Sequence, residues 1–127
     1  MKYLLYLAFL FTGLISLGRC NSKKCNTEVW MRYDETQCAN PWQFNWFAPP
    51  TDEQLAGAVR GYLQEREINI LEIRTRRDKE VISCEACTCL NGFHYFVKVQ
   101  KLGITKLKAL NFKETKDIPT AVDNNKQ

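Results

Sequence analysis

Cysteine spacing is the feature that most restricts how this chain can fold. Three of its six cysteines, at positions 84, 87 and 89, fall within the short stretch CEACTC. The other three are Cys20, Cys25 and Cys38. A cluster of this kind is typical of disulfides, of a metal site or of a redox motif. The compartment of the protein decides which interpretation is favoured, because disulfides persist mainly outside the cytosol.

The start of the chain predicts export. A short positive region precedes an apolar run over residues 4–17, which is too short and wrongly flanked for a membrane span. Small residues at Ser16 and Gly18 predict signal-peptide cleavage after Gly18. Two alternatives stay open: an uncleaved membrane anchor, and a lipoprotein anchored at Cys20. Arg19 argues against the lipoprotein, because it stands where a lipobox has a small residue.

Charge and length limit the class of protein further. Cleavage after Gly18 leaves 17 basic residues against 14 acidic ones, so the formal net charge falls from +4 to +3. This weak, dispersed charge argues against a nucleic-acid partner, and a membrane partner is expected only for a lipidated Cys20. The remaining chain of about 109 residues has the length of one domain. The expected location is periplasmic or secreted.

Hydrophobic periodicity after the leader predicts the element order β-α-β-β-α. Alternating apolar residues predict strands over residues 27–34, 68–75 and 93–100. Helical spacing predicts helices over residues 49–67 and 103–112. The expected organisation is a signal peptide (1–18), a polar N-terminal arm (19–28), one α+β domain (29–113) and a disordered tail (114–127).

Local signals support these elements. Thr51, followed by Gln54, predicts a capping box at the start of the first helix. Asn91-Gly92 predicts a hairpin turn before the third strand. Asn111 is expected to end the second helix in the left-handed conformation.

Connection rules convert this order into a topology. A right-handed crossover makes strands one and two parallel, and a hairpin makes strand three antiparallel to strand two. Strand three then lies between the other two, with both helices on one face. The expected fold is α+β, a three-stranded mixed sheet that resembles a truncated ferredoxin-like arrangement. If strand two is an uncovered edge, it offers a site for dimerisation.

The same topology gathers four cysteines at one end of the sheet. They are Cys38, Cys84, Cys87 and Cys89. In an exported domain they are expected to form disulfides that pin the loops, with Cys38 bonded to one of the other three. Cys20 and Cys25 precede strand one and are candidates for a further bridge near the opposite end.

Two other interpretations of the cluster stay open. The same four thiolates suit Zn²⁺ or Cu⁺, although a second C-x-x-C knuckle is missing and thiols outside the cytosol oxidise. Cys84 and Cys87 suit thiol–disulfide exchange, although no helix follows them to lower a thiol pKa. The favoured interpretation involves no cofactor.

Four aromatic residues lie between strand one and the first helix: Trp42, Phe44, Trp46 and Phe47. We expect this loop to fold over the open end of the core; alternatively, it is an exposed platform that binds a protein or a carbohydrate. His94, the only histidine, is expected to be half-exposed and lacks a recognisable hydrolytic partner. The sequence therefore favours a non-enzymatic domain with a structural or binding role.

Three short stretches carry a resemblance to known proteins: QCANPW from Gln37, CEACTCLNG from Cys84 before a valine-rich strand, and KLKALNF from Lys106. Together they resemble a group of small exported bacterial proteins of uncharacterised function, over most of residues 29–113. The resemblance implies a bacterial cell-envelope setting. It implies no activity, substrate or catalytic residue.

Overall fold

The computed structural model describes residues 27–42, 48–80 and 84–120. Within them the elements are β1 (Glu28–Thr36), α1 (Asp52–Gln64), β2 (Ile70–Arg77), β3 (Leu90–Gln100), α2 (Ile104–Ala109) and β4 (Lys113–Glu114). A short 3-10 turn, Lys101–Gly103, joins β3 to α2. The predicted leader, Cys20, Cys25 and the tail from residue 121 lie outside the described residues.

The strands form one sheet in the order β2-β3-β1-β4, and each hydrogen-bonded pair is antiparallel. The predicted α+β class, both helices and the central place of β3 are confirmed. The expected three-stranded mixed sheet is wrong, because β4 pairs with Met31 and Arg32 of β1 and adds a fourth strand. The ferredoxin-like arrangement is therefore not confirmed. The sequence analysis missed β4 because a two-residue strand is too short to show the alternation that identifies strands in a sequence.

The face of the sheet that the helices cover carries the core. Alternate residues of β1 and β3, including Tyr33, Tyr95 and Val97, are buried there, as their alternation predicts. The buried stripe of α1, formed by Val59 and Leu63, packs on the same cluster. Among the described residues no helix is long and apolar enough to cross a membrane.

The predicted capping box begins α1. Thr51 Oγ1 accepts a hydrogen bond from Gln54 N at 3.2 Å, and Gln54 Oε1 accepts one from Thr51 N at 2.8 Å. These bonds satisfy two backbone donors that the first helical turn would otherwise leave without a partner.

The Asn91-Gly92 pair does not form the predicted hairpin turn. Both residues lie inside β3, where the register against β1 shifts between Asp34 and Thr36. Gly92 has φ 78° and its carbonyl accepts a hydrogen bond from Asp78 N. The pair therefore forms a bulge. Bulges and tight turns both use the positive φ that glycine adopts without strain, so the dipeptide alone does not distinguish them.

The end of α2 directs the chain back to the sheet. Asn111 has φ 66°, as predicted, and its N–H donates to Lys108 O while Phe112 N–H donates to Leu107 O. This pair of bonds is a Schellman motif. Because Leu107 and Phe112 are both buried, the turn fixes the chain at the start of β4.

Residues 115–120, here called the strap, cross the face of the sheet that no described helix covers. Thr115 N donates to Trp30 O of β1 at 3.0 Å, and Arg74 of β2 donates to Pro119 O at 2.7 Å. The structure therefore differs from the expected disordered tail as far as residue 120. Polar contacts hold the strap, and they leave no apolar periodicity for the sequence to show.

Candidate functional site

Two disulfides close the end of the sheet where β1 finishes and β3 begins. Cys38–Cys87 joins residues 49 apart in sequence with a Cα–Cα distance of 4.7 Å, and Cys84–Cys89 joins residues 5 apart at 6.0 Å. Cys38 N also donates to Cys87 O at 3.2 Å. The prediction that four cysteines meet here, with Cys38 bonded to one of the others, is confirmed. We call residues 36–40 and 84–90 together the bridged end.

The two bridges are interlocked in sequence. The small ring closed by Cys84–Cys89 contains Cys87, which is bonded to Cys38. Cys84 and Cys87 thus belong to different bridges, so the disulfide that the redox interpretation requires is not formed. All four sulfurs are occupied, and no described group of three or more His, Cys, Asp or Glu side chains is placed to hold a metal ion. The geometry gives no support to the Zn²⁺ or Cu⁺ interpretation.

The two bridges differ in what they contribute. In the chain-entropy account, a bridge across the 49-residue separation of Cys38 and Cys87 stabilises the fold by about 4 kcal/mol. A bridge across the 5-residue separation of Cys84 and Cys89 contributes about 2 kcal/mol. Residues 84–88 are exposed, so the small ring adds no core. Its main effect is to fix the shape of a surface loop.

Asn40 positions the loop that carries Cys38. Its side-chain oxygen accepts hydrogen bonds from Thr36 N at 2.9 Å and from Tyr33 OH at 3.1 Å, and its amide donates to Thr36 O at 2.9 Å. Burial, with the charge of Glu35, raises the pKa of Tyr33 to about 12. Tyr33 therefore stays protonated and donates to Asn40 across the physiological range.

A buried carboxylate lies beneath the bridged end. Glu35 accepts a hydrogen bond from Tyr95 OH on one oxygen at 2.9 Å and from Asn91 Nδ2 on the other at 2.8 Å. Burial, followed by the nearby Glu35 charge, raises the pKa of Tyr95 far above its usual value, so the phenol remains a donor. These bonds join β1 to β3 beside the bulge.

The aromatic loop next to this end is only partly described. Trp42 is 3% exposed, and its ring lies 4.6 Å from that of Tyr33 and 5.5 Å from that of Tyr95. It is a core residue and is not open to a partner, which agrees with a loop folded over the core. Phe44, Trp46 and Phe47 lie outside the described residues.

The face under the strap holds a polar cluster that sequence reasoning missed. His94 is 3% exposed, so the expectation of a half-exposed histidine is wrong. Its Nδ1 lies 2.7 Å from Asp34 Oδ1 and its Nε2 lies 2.9 Å from Asp78 Oδ2. Both ring nitrogens therefore lie within hydrogen-bonding distance of a carboxylate oxygen.

Arginine contacts complete this face. Burial raises the pKa of Asp34, but hydrogen bonds from Arg32 and His94 outweigh that effect and hold the pKa below its usual value. The guanidinium carbons of Arg32 and Arg76 lie 5.9 and 5.1 Å from the ring centre of Phe96, which is fully buried. Arg76 also pairs with Asp117 of the strap at 3.0 Å. The only sequence signal for this cluster is that alternate strand positions are charged.

Comparison of the chain with protein-family models, with curated proteins and with solved structures gave no match. The resemblance to small exported bacterial proteins therefore stays a prediction. The proposed function therefore depends on the geometry of the bridged end and of the polar cluster under the strap.

Proposed function

We propose that this chain is the precursor of an exported, non-enzymatic binding domain whose bridged end contacts its partner. The observation that carries the proposal is the pair of interlocked disulfides on exposed loops. Structural disulfides form and persist in oxidising compartments. The leader over residues 1–18 supports the same location, because it has the features of a secretory signal peptide.

The form of the bridged end supports binding over stabilisation alone. Residues 84–88 are exposed, and Leu90 beside them is 53% exposed. A covalent ring that closes only a few residues contributes less to the free energy of unfolding than the long bridge does, but it removes most of the freedom of the loop. A loop fixed before binding loses less entropy on binding, which raises affinity. Loops held by a rigid sheet are also where proteins commonly place recognition residues.

The surroundings of His94 support the absence of catalysis. It is the only histidine of the chain, and carboxylates occupy both of its ring nitrogens. A general base needs a free nitrogen within reach of a substrate proton. Because His94 is also buried, it is suited to holding β1, β3 and the segment after β2 together.

The partner is expected to be a protein or a carbohydrate outside the cytosol. A protein partner is tested by placing the photo-crosslinking residue benzoylphenylalanine at Thr88, in the small ring, and in the control at Gln64, at the exposed end of α1. Both variants are expressed with the leader and irradiated in intact cells. We expect a discrete adduct, heavier than a dimer of the chain, from position 88 alone. Equal adducts from both positions would contradict a partner surface at the bridged end.

A carbohydrate partner gives a different result in a parallel measurement. The mature protein is screened against immobilised envelope glycans, beside the double variant Cys84→Ser with Cys89→Ser. Binding that weakens in the double variant supports the proposal. If neither crosslinking nor glycan binding depends on the bridged end, the domain is structural and the proposed binding role is wrong.

A further inference from the structure

The strap lies in a site on the sheet that is suited to a peptide. Arg76 of β2 pairs with Asp117 of the strap at 3.0 Å, and Arg74 donates to Pro119 O at 2.7 Å. The guanidinium carbon of Arg74 also lies 5.0 Å from the ring centre of Trp30. Two arginines beside an aromatic ring therefore bind one side-chain carboxylate and one backbone carbonyl of the strap.

The spacing of the two arginines matches an extended segment. Residues i and i+2 of a strand project to the same face, about 6.5 Å apart, and alternate residues of an extended peptide have a similar spacing. Arg76 and Arg74 therefore reach positions 117 and 119 of the strap. Pro119, which is buried, has a fixed φ and favours an extended Ile118 before it. The sequence DIP thus favours the form that fits the two arginines.

Charge makes Arg76 depend on the strap. The other described ion pairs of this face join residues of the sheet: Arg32 with Asp34, Arg74 with Glu72, and Lys98 with Glu28. The described ion pair of Arg76 is with Asp117 instead. Hydrogen bonding and charge from Arg76 lower the pKa of Asp117, so the strap presents a carboxylate. Without the strap, Arg76 would offer a cation to another carboxylate.

The contacts of the strap can open without global unfolding. The side chain of Asp117 is 65% exposed, and exposed ion pairs contribute little to stability. Asp117 N donates to Thr115 Oγ1 at 3.1 Å, so part of its bonding lies within the strap itself. Segments held by exposed bonds open locally at a far lower cost than the whole fold. A partner can therefore replace the strap while the sheet stays intact.

We propose that this face binds an extended segment of another protein with an acidic residue two positions before a proline, and that the strap occupies the same site within the chain. Arg76 binds the acidic side chain of the partner, and Arg74 donates to the carbonyl of its proline. The strap competes with the partner and lowers its apparent affinity. The site uses no residue of the bridged end, so this inference does not depend on the proposed function.

A labelled peptide tests the site. The probe is KETKDIPT, residues 113–120, with fluorescein at its N-terminus. Its anisotropy is followed as the mature, disulfide-bonded chain is added up to about 1 mM, because a tethered strap competes at an effective concentration of about that size. Asp117→Lys in the chain should tighten binding about tenfold, since it frees the site. The matched control Glu65→Lys makes the same charge change at the end of α1 and should bind like the parent.

Two further measurements locate the contact. Adding Arg76→Gln to the Asp117→Lys chain should abolish binding, and the probe with Asp117→Lys should not bind either chain. Circular dichroism checks that each variant folds; if the Arg76 variant does not, the altered probe still tests the same pair. In NMR spectra the indole N–H signal of Trp30 should move on binding, whereas that of Trp42, which is buried on the other face, should stay.

Three outcomes would overturn the proposal. A probe that binds the Asp117→Lys chain no better than the parent would show that the strap does not occupy a peptide site. Binding that survives either Arg76→Gln or the altered probe would show that Arg76 does not bind the acidic residue. A parent dimer in sedimentation equilibrium that Asp117→Lys abolishes would show that the occupant is the strap of a second copy.

Discussion

The two faces of this sheet are buried by different means. On the face of the helices, Tyr95, Val97 and Val99 of β3 pack against apolar side chains of α1 and α2. On the other face, His94 and Phe96 of the same strand are equally buried, but under arginine side chains and the strap. Arginine stems cover apolar surface while the charged heads stay hydrated. A domain of this size can therefore bury both faces of its sheet although helices cover only one of them.

This difference predicts unequal costs for the same substitution. Phe112→Ala, on the face of the helices, should lower the free energy of unfolding by about 3–5 kcal/mol, because the cavity lies in a dry, close-packed core. Phe96→Ala should cost less, about 2 kcal/mol, since the arginine side chains at the surface and water can fill the space. Urea unfolding of both variants checks this. Equal costs would show that the strap covers its face as tightly as the helices cover theirs.

The disulfides give the next largest effects. Replacing Cys38 and Cys87 together by Ser should lower the free energy of unfolding by about 4 kcal/mol, and replacing Cys84 and Cys89 by about 2 kcal/mol. Thermal unfolding at fixed pH measures both losses. If the small ring contributed as much as the long bridge, it would act on the core, contrary to a role in shaping the exposed loop.

Low pH should reduce the stability of the face under the strap, because Asp34 lies there. The pKa of Asp34 lies below its usual value in the folded protein, so this group contributes stability above its unfolded pKa. That contribution is lost as the pH falls through the folded pKa, below about pH 4. The parent should therefore lose more stability than Asp34→Asn between pH 5 and the acid limit. Identical pH profiles would contradict an ionised Asp34 held by Arg32 and His94.

The smallest effect is expected at the strap. Asp117 is exposed, and its hydrogen bond with Arg76 lowers its pKa, but exposed pairs contribute little to global unfolding. Asp117→Asn should leave urea unfolding unchanged and speed amide exchange at Thr115, whose N–H bonds to Trp30 O. Unchanged exchange at Thr115 would mean that Arg74 and Pro119 hold the strap without Asp117.

Sequence alone revealed the parts of this protein that depend on local periodicity. The capping box at Thr51, the left-handed Asn111, the central place of β3 and the meeting of four cysteines all follow from local pattern and connection rules. His94 was misjudged because its burial depends on Asp34 and Asp78, which are distant in sequence and become neighbours only through the strand register. The strap was missed for the same reason, because its partners are polar groups on other strands.

The most direct test of a bridged, exported domain is mass spectrometry of the protein purified from its native compartment, before and after digestion. Iodoacetamide is added before purification, without a reductant, and the chain is then digested and its peptides weighed. We predict loss of residues 1–18 and no alkylation at Cys38, Cys84, Cys87 or Cys89, with these residues found in disulfide-linked peptides. A retained leader, or alkylation of these four cysteines, would contradict the account.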